Sequence, residues 1–199
     1  MAYTDFSIFD VSKQFNISYK NESLFEFDKI ESIEASDWLI ESLKKSKLFS
    51  LRNEKSKSEL IISPIFVEVK EKNMDKISIF SGEHLNIDKK LRLWGECDFI
   101  ITSEANIPEL VAPIIAVVEA KKGEIELGLG QCSAQMVGIK MFNEKHNTSI
   151  KKIYGCVTTG KEWKFLKLEN NIMIIDNDNY FIDNIPKILG IFKIISNNI

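Results

Sequence analysis

PIIAVVEAKKG, residues 113–123, runs five apolar residues, Ile114 to Val118, straight into Glu119, Ala120 and Lys121. The unbroken apolar run predicts a central strand covered on both faces. In a strand, side chains two apart share a face, roughly 6.6 Å apart at ~3.3 Å per residue. Glu119 and Lys121 therefore point to one side and Ala120 to the other. A carboxylate ending a buried run is costly unless something offsets it. Lys121 can do so, and a purely structural ion pair is the plain reading of a Glu-x-Lys pattern that chance produces often.

Upstream of this strand, GECDFIIT (95–102) reads as a short strand after a glycine, with Asp98 just before its apolar residues. KISIFSGEHLNID (76–88) reads as one or two strands, with Gly82 available for a bend. In NEKSKSELIISPIFVEVKEK (53–72), Leu60, Ile61, Pro64, Ile65 and Val69 make a helical stripe, while Ile65, Val67 and Val69 also alternate. A helix bent at Pro64, where one hydrogen bond is missing, is the reading taken. An amphipathic helix is expected over 31–49, with Ile33, Trp38, Leu39, Leu43 and Leu48 on its apolar side.

Downstream, a helix is expected over 125–146, its apolar side built from Leu127, Leu129, Cys132, Met136, Ile139 and Phe142. Strands follow at 150–160 and 161–170, with IMIID and NYFID as short edge strands. NIPKILGIFKIISNN (184–198) closes as a helix, with Pro186 in its first turn. The expected order is ααβββαββα, an α/β (α+β) fold with a mixed central sheet flanked by helices. The long helix after Lys122 suits a crossover between neighbouring parallel strands. Without repeats or Pro/Gly-rich linkers, residues 1–199 read as one domain.

The chain has 199 residues, 44% hydrophobic and 28% charged, with a net charge of −3. That balance argues against indiscriminate coating of nucleic acid but leaves room for a local basic face. Lysines cluster at 44, 45 and 47, at 55 and 57 with Arg52, at 151 and 152, and at 161, 164 and 167. No apolar run suits a membrane span, and MAYTDFSIFD lacks the features of a secretory signal. Cys97, Cys132 and Cys156 form no CxxC pair, so neither a disulfide framework nor a zinc site is expected, and the cytoplasm is the expected compartment. His84 and His146 stand apart from other ligating residues and read as polar surface.

If the strands bearing Asp98 and Glu119 are neighbours, the two carboxylates converge at one end of the sheet. Their repulsion raises at least one pKa unless a cation intervenes, and oxygen-only donors suit Mg²⁺ or Mn²⁺. Asp98, then Glu119-Ala120-Lys121, then a helix carrying Gln131, resembles the PD-(D/E)XK nuclease superfamily. The nearest likeness is to the N-terminal nuclease domains of type I restriction motor subunits and related stand-alone proteins. The matching pieces are SELIISPIF, LWGECDFIIT, IIAVVEAKKG, GLGQCSAQMVGIKMF and KIYGCVTTGKEWKFLKL, spanning about 53–168. Cys97 stands where the family name has proline.

The resemblance implies a restriction-endonuclease-like core and a Mg²⁺- or Mn²⁺-dependent endonuclease that cuts DNA by metal-assisted attack of water; the residues do not rule against RNA. It implies that Asp98, Glu119, the Ala120 carbonyl and Glu59 hold the metal, that Lys121 positions water, and that Gln131 orients water or substrate. Gln135, where a related motif has tyrosine, is a second candidate, and Glu68 is the alternative to Glu59. A homodimer would suit double-strand cutting. The chain has no P-loop, so a helicase or motor would be a separate partner. The competing readings are a nuclease-fold module that binds nucleic acid or protein without cutting, and an unrelated α/β protein with a structural Glu119–Lys121 pair.

Overall fold

The computed structural model describes residues 2–197. Its centre is an eight-stranded mixed sheet. In chain order the elements are α1 (Ile8–Phe15), β1 (Ser18–Glu22), α2 (Asp37–Ser46), α3 (Glu54–Lys57), α4 (Ser63–Lys72), β2 (Ser78–His84), β3 (Glu96–Thr102), β4 (Ile114–Ala120), α5 (Glu126–Lys145), β5 (Lys152–Thr158), β6 (Glu162–Glu169), β7 (Ile172–Asp176), β8 (Tyr180–Phe181) and α6 (Ile185–Asn197). Across the sheet the strands run β1-β7-β6-β5-β4-β3-β2, with β8 paired to β6. β4 lies antiparallel to β3 and parallel to β5, and α5 makes the connection that the parallel pair requires.

β4 is buried at all seven positions, as its apolar run predicts. One face of the sheet packs Phe99, Val118, Trp163 and Phe165 against Leu39, Ile65, Phe66 and Phe192 from α2, α4 and α6. The other packs Ile100, Val117 and Val157 against Cys132, Met136 and Ile139 of α5 and against Val11 of α1. Trp163 and Phe165 are thus core, and the three cysteines are buried free thiols.

The 53–72 segment is helical, and its irregularity comes before the proline. Residues Ser58–Ile62 form a π turn in which the Ser63 amide bonds to the Ser58 carbonyl, five residues back. The wider turn fits a proline that lacks the ordinary donor and crowds the preceding carbonyl.

Several expectations need correction. The chain opens with α1 and β1, which the order ααβββαββα omits. β7 is an interior strand, flanked by β1 and β6, because β1 takes the edge. The helix expected over 31–49 occupies only Asp37–Ser46, starting where the Ser36 hydroxyl accepts from the Leu39 amide. Ile33 precedes it, Leu48 follows it, and Trp38 points outward. Leu127 is exposed too, since α5 turns its first residues to solvent. Residue 198 of the expected closing helix lies outside the described residues.

Glycines set how closely the layers approach. A Cβ on Gly155 of β5 would fall 2.4 Å from Met136 Sδ and 2.8 Å from Cys132 Sγ, so this strand glycine lets α5 settle on the sheet. A Cβ on Gly138 would fall 2.5 Å from the Tyr3 hydroxyl oxygen, so this helix glycine makes room for Tyr3 rather than for the sheet. On Gly130 a Cβ would lie 2.1 Å from the Phe6 carbonyl oxygen and 2.7 Å from Ser7 Cα. In an open helix Gly→Ala gains roughly 1 kcal/mol. Here backbone blocks the added methyl, so Gly130→Ala is expected to destabilise by about 1–3 kcal/mol, read from the urea midpoint. Unchanged or increased stability would refute this packing account.

Candidate active site

Glu119 and Asp98 belong to neighbouring antiparallel strands. The ladder pairs Phe99 with Val118 and Ile100 with Val117, so one further step sets Asp98 opposite Glu119. At that step the Asp98 side chain takes over: its Oδ2 accepts from the Ala120 amide at 2.7 Å. Ala120 itself turns into the α4/α6 core, which leaves Glu119 and Lys121 facing α5.

Glu119 is buried, 4% exposed, and both of its oxygens are engaged. Lys121 Nζ donates to Oε1 at 2.7 Å and Gln135 Nε2 to Oε2 at 2.8 Å. Lys121 Nζ also donates to Gln131 Oε1 at 2.9 Å, and its main-chain amide bonds to the Thr158 carbonyl at 2.7 Å. Gln131 and Gln135, four apart on α5, thus hold the lysine and the glutamate respectively. Gly128 makes room: a Cβ there would sit 2.5 Å from Val157 Cγ1 and 3.0 Å from Lys121 Cγ.

Burial, and then the charge of Asp98, push the Glu119 carboxyl up to about 7 against the pull of Lys121 and Gln135. Asp98 is raised as well, chiefly by burial, with the Ala120 amide opposing and Glu54 and Glu96 adding to the rise. Two neighbouring carboxylates thus work against each other at this end of the sheet.

Of the expected residues, Asp98, Glu119, Ala120, Lys121, Gln131 and Gln135 come together. Glu59 does not. It is exposed on the π turn, with Lys55 as its partner at 3.8 Å. Glu68 is buried elsewhere: it accepts from the Ser36 amide and hydroxyl at 2.9 and 2.6 Å, and Lys72 lies 3.1 Å away, so it anchors the start of α2.

The acid that reaches the site from the upstream helix is Glu54. Its Oε1 accepts from the Lys122 amide at 3.1 Å, and its charge acts on Asp98. Lys57, one turn on, donates to the Lys122 carbonyl at 2.5 Å. Burial and the nearby Lys161 lower the Lys57 pKa; Glu54 opposes, and Lys122 adds to the lowering. The signal for both residues was Asn53, whose side chain caps α3 by accepting from Ser56 and so puts Glu54 at the helix start.

Among the described residues no three His, Cys, Asp or Glu side chains group to hold a metal. A two-carboxylate set still fits Mg²⁺, which keeps several waters and binds through one or two carboxylates. Each engaged Glu119 oxygen retains a second lone pair.

No protein-family model matches the chain, and no curated protein matches it significantly.

The raised Glu119 pKa fixes a sign. Below about pH 4.5 the carboxyl is protonated in both folded and unfolded chains. Between 4.5 and 7 the folded state keeps a proton that the unfolded chain releases, so stability falls as pH rises through that window. The loss is on the order of 3 kcal/mol for a shift of this size. Glu119→Gln should flatten this part of the profile in metal-free urea titrations from pH 4.5 to 8. Parallel profiles for variant and wild type would contradict the assignment.

Proposed function

We propose that the chain is a metal-dependent nuclease of PD-(D/E)XK type that hydrolyses phosphodiester bonds, with DNA as the substrate the resemblance implies. The observation that carries the reading is the meeting of Asp98, Glu119 and Lys121 at one end of the sheet. The succession of α3–α4, β2, β3, β4, α5 and β5 supports a restriction-endonuclease-like core. No helix of the described residues is long and apolar enough to cross a membrane.

Asp98 and Glu119 would hold Mg²⁺ or Mn²⁺, with the Ala120 carbonyl as a backbone oxygen; Glu59 is not placed to join them. The bound ion would supply Lewis acidity toward a phosphoryl oxygen and lower the pKa of water. Lys121 spends two N–H donors on Glu119 and Gln131, and its third is left for a water or a phosphoryl oxygen. Gln131 is a positioning residue: its oxygen fixes the ammonium. Gln135 does the same for the Glu119 carboxylate. In the net reaction water oxygen bonds to phosphorus, the P–O bond to the leaving oxygen breaks, and that oxygen takes up a proton.

The test is Mg²⁺-dependent cleavage of DNA with an EDTA control. Asp98→Ala and Lys121→Ala should each lower the rate by at least about 100-fold, whereas Glu59→Ala should leave it near wild type. Activity surviving both of the first two substitutions would remove the site assignment. Metal-independent nucleic-acid binding with no cleavage of DNA or RNA would leave the non-cutting module in its place.

A further inference from the structure

A groove of about 460 Å³ opens between α2, the π turn and the β5–β6 turn. Its floor is aliphatic, from Leu43, Leu51, Ile61 and Ile182, and its rim carries Lys44, Lys47 and Lys161. Asp183 is the one carboxylate on the lining. Lys44 meets Glu41 only at 3.9 Å, with 77% of its side chain exposed. Between the lining residues Lys47 and Leu51, Phe49 stands 62% exposed.

Lys161 joins this groove to the candidate active site. Its charge acts on Lys57, as does that of Lys122, and Lys57 is tied to the Lys122 carbonyl beside Lys121. Lysines therefore run from the mouth of the site, through Lys161, to Lys44 and Lys47. In a chain of net charge −3 this is a local concentration of like charge beside an apolar floor.

We propose that this groove binds a single strand of nucleic acid, its phosphates along the lysines and its bases against the aliphatic floor, and leads that strand to the Asp98–Glu119 site. A duplex presents phosphates but hides its base faces, so it would satisfy the lysines and leave the floor unused. A strand with unstacked bases satisfies both, its base faces covering the aliphatic floor by apolar contact rather than aromatic stacking. An acidic peptide would meet the charge, but its carboxylates bring no flat apolar faces for the floor. Only the destination of the strand rests on the nuclease reading; the groove's binding does not.

The experiment is fluorescence anisotropy on the Asp98→Ala protein without metal, using a short single-stranded DNA, the matching RNA and a duplex over a range of salt. Single strands should bind more tightly than duplex, and the DNA and RNA arms report which sugar is preferred. Lys44→Gln with Lys47→Gln should weaken single-strand binding about tenfold and reduce the slope of log K against log salt by about 1.4, two contacts at ~0.7 each. Lys145→Gln with Lys151→Gln, at the opposite end of β5 and α5, should do neither, and thermal melts should show both pairs folded. Wild-type binding by the first pair, equal loss by the control pair, or tighter binding of duplex would overturn the proposal. So would competition by an acidic peptide as effective as by the oligonucleotide. Cleavage is read separately on the wild-type chain: its absence alongside intact groove binding sinks the nuclease reading and leaves the groove standing.

Discussion

One buried carboxylate organises this molecule. Glu119 ends a strand covered on both faces, and its charge is tolerable there only because Lys121 and Gln135 each donate to one of its oxygens. Their pull is still insufficient to keep it in the ordinary carboxylate range, since burial, and then the charge of Asp98 from the next strand, outweigh it. Part of the cost falls on Gln135. Facing Glu119 with its amide nitrogen leaves its Oε1 buried with no partner among the described residues. Orphaning a buried acceptor costs roughly 1–3 kcal/mol. Gln135 therefore satisfies the buried carboxylate at the expense of its own oxygen.

The fold supplies the rest by geometry. An antiparallel β3–β4 pair brings Asp98 level with Glu119, and the parallel β4–β5 pair gives Lys121 a ladder partner in Thr158. The same helix that closes the parallel connection presents two glutamines over the strand ends. Glycines at 128 and 155 remove the side chains that would hold α5 away.

What the residues revealed followed burial. Strands β3, β4, β5 and β6 carry apolar runs or alternation, and each expected segment contains the observed strand. β1 was invisible because Ser-Tyr-Lys-Asn-Glu is an edge strand in which only Tyr19 is partly covered, the other four of its five positions being exposed. α1 did leave a mark, a Ser7–Asp10 capping box ahead of an apolar stripe, yet its short length hid it. Trp38, Leu48 and Leu127 misled because apolarity at helical spacing was read as core, whereas α2 and the start of α5 turn them to solvent. At the candidate site, strand parity put Glu119 and Lys121 on one face, and Asp98 joined them only on the condition that its strand be a neighbour, which β3 is. Glu59 was not placed correctly because the five-residue π turn rotates it outward, a twist that a regular 3.6-residue period does not contain.

The charge layout separates two tasks that net charge would merge. Acids lie at the centre, where Asp98, Glu119 and Glu54 act on one another, and lysines lie around them at 57, 122 and 161. If the proposed substrate is bound here, a polyanion would meet the lysines first and the carboxylates only at the end of the sheet, where its own charge would deepen their conflict. A divalent cation resolves both repulsions together, between the two carboxylates and between them and a phosphate. On the proposed nuclease function, the same two carboxylates, unfavourable as a buried pair by themselves, would form one half of a site whose other half is a cation and a phosphodiester.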